Sequence, residues 1–183
     1  MNVHDVVQGS IEWGALRASC FTASEAPAMA GVSKYTNRSD LLKQKYTGEM
    51  PEVTPAQQRL FDKGHATEAS ARPIAERIIG EELYPCTATS DDHPWMLASF
   101  DGCTMIEDVI FEHKMINADL RTATVETLPE HYKVQMDQQL AVSGAEKCLF
   151  MASDGTENDC NWFWYETTPE RIASLLAGWE QFK

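Results

Sequence analysis

The chain has 183 residues, 43% of them hydrophobic and 23% charged, the proportions of a soluble globular protein long enough for a buried core. No apolar run approaches the roughly 20 residues that cross a bilayer, the start Met-Asn-Val-His-Asp lacks a signal peptide's basic and apolar regions, and five cysteines without CxxC spacing argue against a disulfide framework or zinc site and for the cytoplasm. The net charge of −13 counts against an open basic face for nucleic acid, but not against basic residues segregated onto one lined surface.

Residues 10 to 17 read as a short helix with Ser10 as its cap and Ile11 and Trp13 among its apolar positions. Thr22-Ala-Ser-Glu reads as a capping box closed by Glu25, opening a helix that Gly31 ends. Arg17 and Ser24 lie close to that helix start and make a candidate phosphate site, although an ordinary cap beside a surface arginine explains the same residues. Arg17, Lys34, Arg38, Lys43 and Lys45 concentrate basic charge in this part of the chain. Ser39 or Asp40 is predicted to begin the next helix and Gly48 to end it, with 49 to 53 as a linker.

Thr54-Pro55-Ala56-Gln57 has the pattern of N-cap, N1 proline and box partner, starting a long helix that runs toward Gly80. Leu60, Phe61, Ile74 and Ile78 mark its expected buried side, and Pro73 is expected to kink or split it. Around Gly64 to Glu68 large side chains are few, which would let another element approach Glu68; most helix glutamates simply face solvent.

Residues 82 to 86 and 95 to 99 read as short strands around the loop 91 to 94. Asp101 is then expected just before a tight turn at Gly102, followed by a strand over 109 to 114. Alternation along that strand puts Glu112 and Lys114 on one face. Two acids and a lysine so placed suit a hard divalent cation such as Mg²⁺ or Mn²⁺, with the His113 carbonyl as a further oxygen and Lys114 set to orient or deprotonate a water. A solvated, salt-bridged strand face explains the bare motif equally well.

Residues 116 to 127 read as loop, Leu128-Pro129-Glu130 starts a helix to Val142 that carries Gln135, and 146 to 152 and 162 to 166 read as strands flanking an acidic loop. Thr168-Pro169-Glu170 caps a final amphipathic helix with Ile172, Leu175, Leu176 and Trp179 on one face. The sum is one α/β (α+β) domain over 1 to 183, a central mixed sheet flanked by helices.

In order, Trp13, Arg17, Thr22-Ala-Ser24-Glu25, Gly31, Gly64-x-x-x-Glu68, Ser99-Phe-Asp101-Gly, Glu112-x-Lys114 and Tyr132-x-x-Gln135 mark out residues 10 to 152, most of the chain. This series resembles the lambda exonuclease, or YqaJ-like recombinase, family of the PD-(D/E)xK nuclease superfamily. The resemblance implies the restriction-endonuclease-like nuclease core, with Glu68, Asp101 and Glu112 as ligands for two Mg²⁺ ions, Lys114 acting on the nucleophilic water and Gln135 supporting them. It implies Arg17 and Ser24 as holders of a 5′ phosphate and Ser99 as a further lining residue. It also implies 5′→3′ digestion of one strand of linear duplex DNA to mononucleotides, a homotrimeric ring around DNA, and a single-strand annealing partner in phage or prophage recombination. Phe100 stands where the family often has proline, and His113 would add a pH-sensitive neighbour. A PD-(D/E)xK endonuclease and a non-catalytic acidic DNA mimic or recombination-complex subunit are the rival readings, the latter supported by the charge.

Overall fold

The structure, a computed structural model, describes residues 1 to 49 and 52 to 183, so residues 50 and 51 of the expected linker lie outside the described residues. In chain order the elements are β1 (Asn2–His4), α1 (Ile11–Ser19), β2 (Phe21–Thr22), α2 (Ala26–Met29), α3 (Arg38–Thr47), α4 (Pro55–Ile79) and β3 (Tyr84–Thr89). There follow β4 (Met96–Cys103), β5 (Val109–Met115), α5 (Ala118–Arg121), α6 (Glu130–Ser143), β6 (Lys147–Ser153), β7 (Cys160–Tyr165) and α7 (Pro169–Glu180). The strands form one mixed sheet in the order β1-β3-β4-β5-β6-β7, with β2 paired in parallel to β4. The parallel pair β5 and β6 is joined through α6, which crosses one face of the sheet.

The sheet is buried on both faces. On one, Ala71, Ile74 and Ala75 of α4 pack on Leu83, Phe111, Leu149 and Met151. On the other, α2, α6 and α7 close over Phe100, Ile110, Cys148 and Phe150, with Met136, Leu140 and Trp179 at the centre. Apolar side chains at consecutive positions of β5 and β6 therefore serve two different cores.

Several local signals behave as read. The side chains of Ser10, Thr54 and Thr168 accept backbone N–H groups at the starts of α1, α4 and α7, and Thr54 and Gln57 complete a reciprocal box. Gly48 and Gly80 end α3 and α4 in the left-handed region. Pro73 does not split α4, which runs as one 25-residue helix with the proline inside it.

Other expectations are corrected. Leu60 and Phe61 are about half exposed, so the first turns of α4 are not covered by the described residues. Thr22 lies in β2 instead of capping a helix: the Glu25 carboxylate accepts the Thr22 N–H, and α2 starts only at Ala26. Asn37, not Ser39 or Asp40, caps α3, accepting the Asp40 N–H at 2.8 Å. The region expected as loop from 116 to 127 contains α5, capped by Asn117.

The largest correction concerns Asp101, which lies inside β4. The turn comes later, where Thr104 and Asp108 are joined at 2.6 Å and Glu107 adopts a φ of 62°. Cys86 pairs with Phe100 and Tyr84 with Cys103, so Asp101 and Gly102 together face Pro85 in a β-bulge. Pro85 has no N–H to contribute to a ladder, which suits it to this position. A Cβ on Gly102 would lie 2.9 Å from the Leu83 Cβ, so the glycine permits a close approach between neighbouring segments, not a reversal. The extra residue shifts the alternation: Met96, Ala98, Phe100 and Cys103 all enter the same core.

Candidate active site

The acids expected from sequence come together where α4 and α6 reach the same part of β4 and β5. The Asp101 carboxylate accepts the backbone N–H of His113 at 2.7 Å, bridging the two strands beyond the bulge. Because the N–H and C=O of a strand residue point to the same edge, the His113 carbonyl faces this side too. Glu112 is only 3% exposed, so its charge requires partners. It receives Gln135 Nε2 at 2.7 Å on Oε1, Gln139 Nε2 at 2.6 Å on Oε2, and the Lys114 ammonium on Oε1. Glu68 approaches from α4 and pairs with Arg72 at 2.7 Å; the same arginine donates to the Asp101 carbonyl at 2.9 Å.

The three carboxylates sense one another. Burial first, and then repulsion from Glu112 and Glu68, push the Asp101 carboxyl well above the usual carboxylate range. Burial also raises Glu68; Arg72 opposes this and Glu112 adds to it. Burial alone would push the Lys114 ammonium down, but Glu112 and Asp101 outweigh it and hold it above the ordinary lysine range. Lys114 is therefore held as an ammonium in this arrangement. Tyr132 covers it, with the ammonium 6.0 Å from the ring centroid.

His113 does not provide the pH-sensitive neighbour expected. Its side chain lies on the opposite face of β5, bonded to Ser153 at 2.8 Å, and burial lowers its pKa to about 4. It is neutral near pH 7.

Arg17 and Ser24 also meet, Nη2 to Oγ at 3.0 Å, with the guanidinium 4.5 Å from the Trp13 ring centroid. Trp13 Nε1 in turn donates to Ser99 Oγ at 3.1 Å, and Ser99 Oγ is 3.0 Å from Thr87 Oγ1. A chain of contacts thus runs from the arginine pair to the residue two before Asp101. Lys45, one of the clustered basic residues, is engaged by Glu25 and by the carbonyls of Arg17 and Cys20, so it braces this corner.

Sequence reasoning missed Arg72 and Gln139. Both lie four residues after a residue that had been singled out, Glu68 and Gln135, and helical spacing could have found them. Among the described residues no three His, Cys, Asp or Glu side chains already surround a common point. Glu68 and Asp101, whose proton affinity the neighbouring carboxylates raise, and Glu112 are the residues that could hold a cation, and with a strand carbonyl they offer only oxygen, the donor type of Mg²⁺ or Mn²⁺.

This mixed sheet with its flanking helices matches the fold of solved exonucleases. The chain is similar to an alkaline exonuclease (LHK-Exo) from Laribacter hongkongensis, with a TM-score of 0.75, 23% identity, and coverage of 94% of this chain and 90% of that one. LHK-Exo is also known in complex with dAMP. The chain is similar as well to a phage related exonuclease from Haemophilus somnus 129PT, with a TM-score of 0.61, 10% identity, and coverage of 92% and 95%. No curated protein matches. The family model of the YqaJ-like viral recombinase domain matches residues 12 to 146, and the chain belongs to that family. Among the described residues no helix is long and apolar enough to cross a membrane.

Proposed function

We propose that the chain is a Mg²⁺-dependent 5′→3′ exodeoxyribonuclease that digests one strand of linear duplex DNA from 5′-phosphorylated ends to mononucleotides, in phage-type recombination by single-strand annealing. The observation that carries this reading is the Lys114–Glu112 pair beside Asp101, with Glu68 facing it from α4. Family membership and the dAMP complex of a similar exonuclease support it, dAMP being a mononucleotide of the kind released.

Glu68, Asp101, Glu112 and the His113 carbonyl would hold the cations, two being expected, with Mn²⁺ able to substitute. When bound, such ions lower the pKa of water and neutralise charge on phosphoryl oxygens. Lys114, kept as an ammonium, orients the attacking water and stabilises negative charge developing at the scissile phosphate. Gln135 fixes one oxygen of Glu112 without adding charge. Arg17 and Ser24 would receive the terminal phosphate, the guanidinium forming charge-assisted bonds and the hydroxyl adding a donor. Ser99, tied to Trp13, lines the path between the two sites. In a homotrimeric ring the few basic residues would line the channel while acidic surfaces faced solvent, and the partner would be a single-strand annealing protein.

The test is incubation of linear duplex DNA with one 5′-phosphorylated end, beside a closed circle, with Mg²⁺ and with EDTA. Mononucleotides from the linear DNA only, and only with Mg²⁺, are expected. Cleavage of the circle would move the reading to an endonuclease on the same core, and no cleavage of either would overturn a nuclease function.

A further inference from the structure

Residues 138 and 139 are adjacent glutamines, both fully buried, and their surroundings differ. Gln138 is satisfied at both ends of its amide: Nε2 donates to the carbonyls of Phe21 at 2.8 Å and Leu97 at 3.1 Å, and Oε1 accepts Trp179 Nε1 at 2.7 Å. It holds β2, β4 and α7 together. Gln139 is not satisfied. Its Nε2 donates to Glu112 Oε2 at 2.6 Å and lies 3.4 Å from the Ser99 carbonyl, while its Oε1 is the one buried side-chain polar atom without a partner among the described residues.

A buried carbonyl without a donor costs stability, and a native structure that keeps one calls for a reason. Rotating the amide would gain nothing, because Oε1 would then face the Glu112 carboxylate. An apolar residue of similar volume would remove the unpaired carbonyl but would leave the buried Glu112 Oε2 without its donor, so the glutamine is tied to the charge of Glu112.

The two oxygens of Glu112 are also treated differently. Oε1 receives Gln135 and the Lys114 ammonium, whereas Oε2 receives the neutral amide of Gln139. Among the described residues the hydrogen bond to Oε2 comes from this neutral amide and none comes from a cationic group. A neutral donor orients a carboxylate oxygen without cancelling its charge, leaving the second lone pair attractive to a cation.

We propose that Gln139 is a positioning residue that aims Glu112 Oε2 at a divalent cation and ties it to the β4 backbone at Ser99, with its own carbonyl left unpaired. The inference rests on the cation-dependent reading of the site given above. Gln139 touches neither DNA nor cation; it acts through Glu112.

The test uses Mn²⁺ alone as probe on the full chain, comparing the parent with Gln139→Met by calorimetric titration and by melting in EDTA. In EDTA the substitution has opposing effects, since the unpaired carbonyl is gone but Glu112 Oε2 loses its donor, and melting serves as the control that the variant is folded. Its half-saturating Mn²⁺ concentration is expected to rise about tenfold or more, and cleavage at low Mg²⁺ to fall and then recover as Mg²⁺ is raised. Unchanged Mn²⁺ half-saturation overturns the proposal, whether or not melting changes; a lower melting temperature beside it would identify Gln139 as structural. If Gln139→Met does not fold, Gln139→Asn, whose shorter amide cannot reach Glu112, takes its place with the same expectation for Mn²⁺. A parent that binds no Mn²⁺ overturns the cation site itself, and this proposal with it. A parent and variant that bind equally overturn only the role of Gln139.

Discussion

Asp101 reaches across from β4 and accepts the backbone N–H of His113 at 2.7 Å, so a side chain joins two strands beyond the bulge. The same bond fixes the carboxylate beside Glu112, whose repulsion it must withstand. Strand pairing and site geometry are thereby one structural problem, and it separates variants that change chemistry from those that change shape.

Lys114→Ala belongs to the first kind. Loss of the ammonium is expected to lower single-turnover cleavage of linear duplex DNA by about 100-fold or more, the scale of a positioned charge stabiliser. Cation and DNA binding should persist, since Glu112 retains Gln135 and Gln139. Cleavage within a few-fold of the parent would remove Lys114 from the chemistry.

Arg17→Ala should act at the end of the strand. The expected effect is a drop of about tenfold in the preference for 5′-phosphorylated over 5′-hydroxyl ends, as charge-assisted bonds to the terminal phosphate are lost. Comparing initial rates on the two substrates measures it. A parent that digests both ends equally would show that Arg17 and Ser24 form no phosphate pocket.

Gly102→Ala tests the close approach at the bulge. The added Cβ would sit 2.9 Å from the Leu83 Cβ, and such crowding is expected to cost about 1–3 kcal/mol in denaturant unfolding. Adding Leu83→Gly, which removes the crowded Cβ, should restore part of the loss relative to Leu83→Gly alone. Simple additivity of the two would mean that the contact is relieved elsewhere.

Asp137→Ala addresses stability on the face of α6 away from the site. This acid, 3% exposed, accepts the Tyr165 hydroxyl at 2.7 Å, the Thr167 hydroxyl at 2.7 Å and Arg171 Nε at 2.9 Å. Breaking a buried pair of this kind is expected to cost about 3–5 kcal/mol, read from urea unfolding in EDTA. Half-saturation by Mn²⁺ should not change in the folded fraction; a shift there would couple this network to Glu112.

Much of the architecture was legible because local chemistry and tertiary structure agree. The Thr54 box, Gly80 and the alternation of Glu112 with Lys114 each have one plausible geometry, and each is realised. Asp101-Gly102 was misread because Asp-Gly is a strong turn signal; only Pro85, on a different strand, marks the bulge. Leu60 and Phe61 have helical periodicity, but periodicity cannot say whether anything covers a face. β1 is too short and too polar to stand out, and it exists through its pairing with β3. Gln139 escaped notice because a helix glutamine ordinarily faces water; its burial follows from where α6 crosses the sheet.

The bulge makes the count of residues in β4 matter as much as their kinds. Phe100 and Cys103, an odd number of positions apart, enter the same core only because one residue between them goes unmatched. Shortening the strand by one at 101–102 would let the ladder close without a gap and leave no residue to carry the acid out of register. Over evolutionary time this strand should accept exchanges of apolar side chains more readily than changes of length, so a lineage that lost the site could do so by a single three-base deletion and still fold.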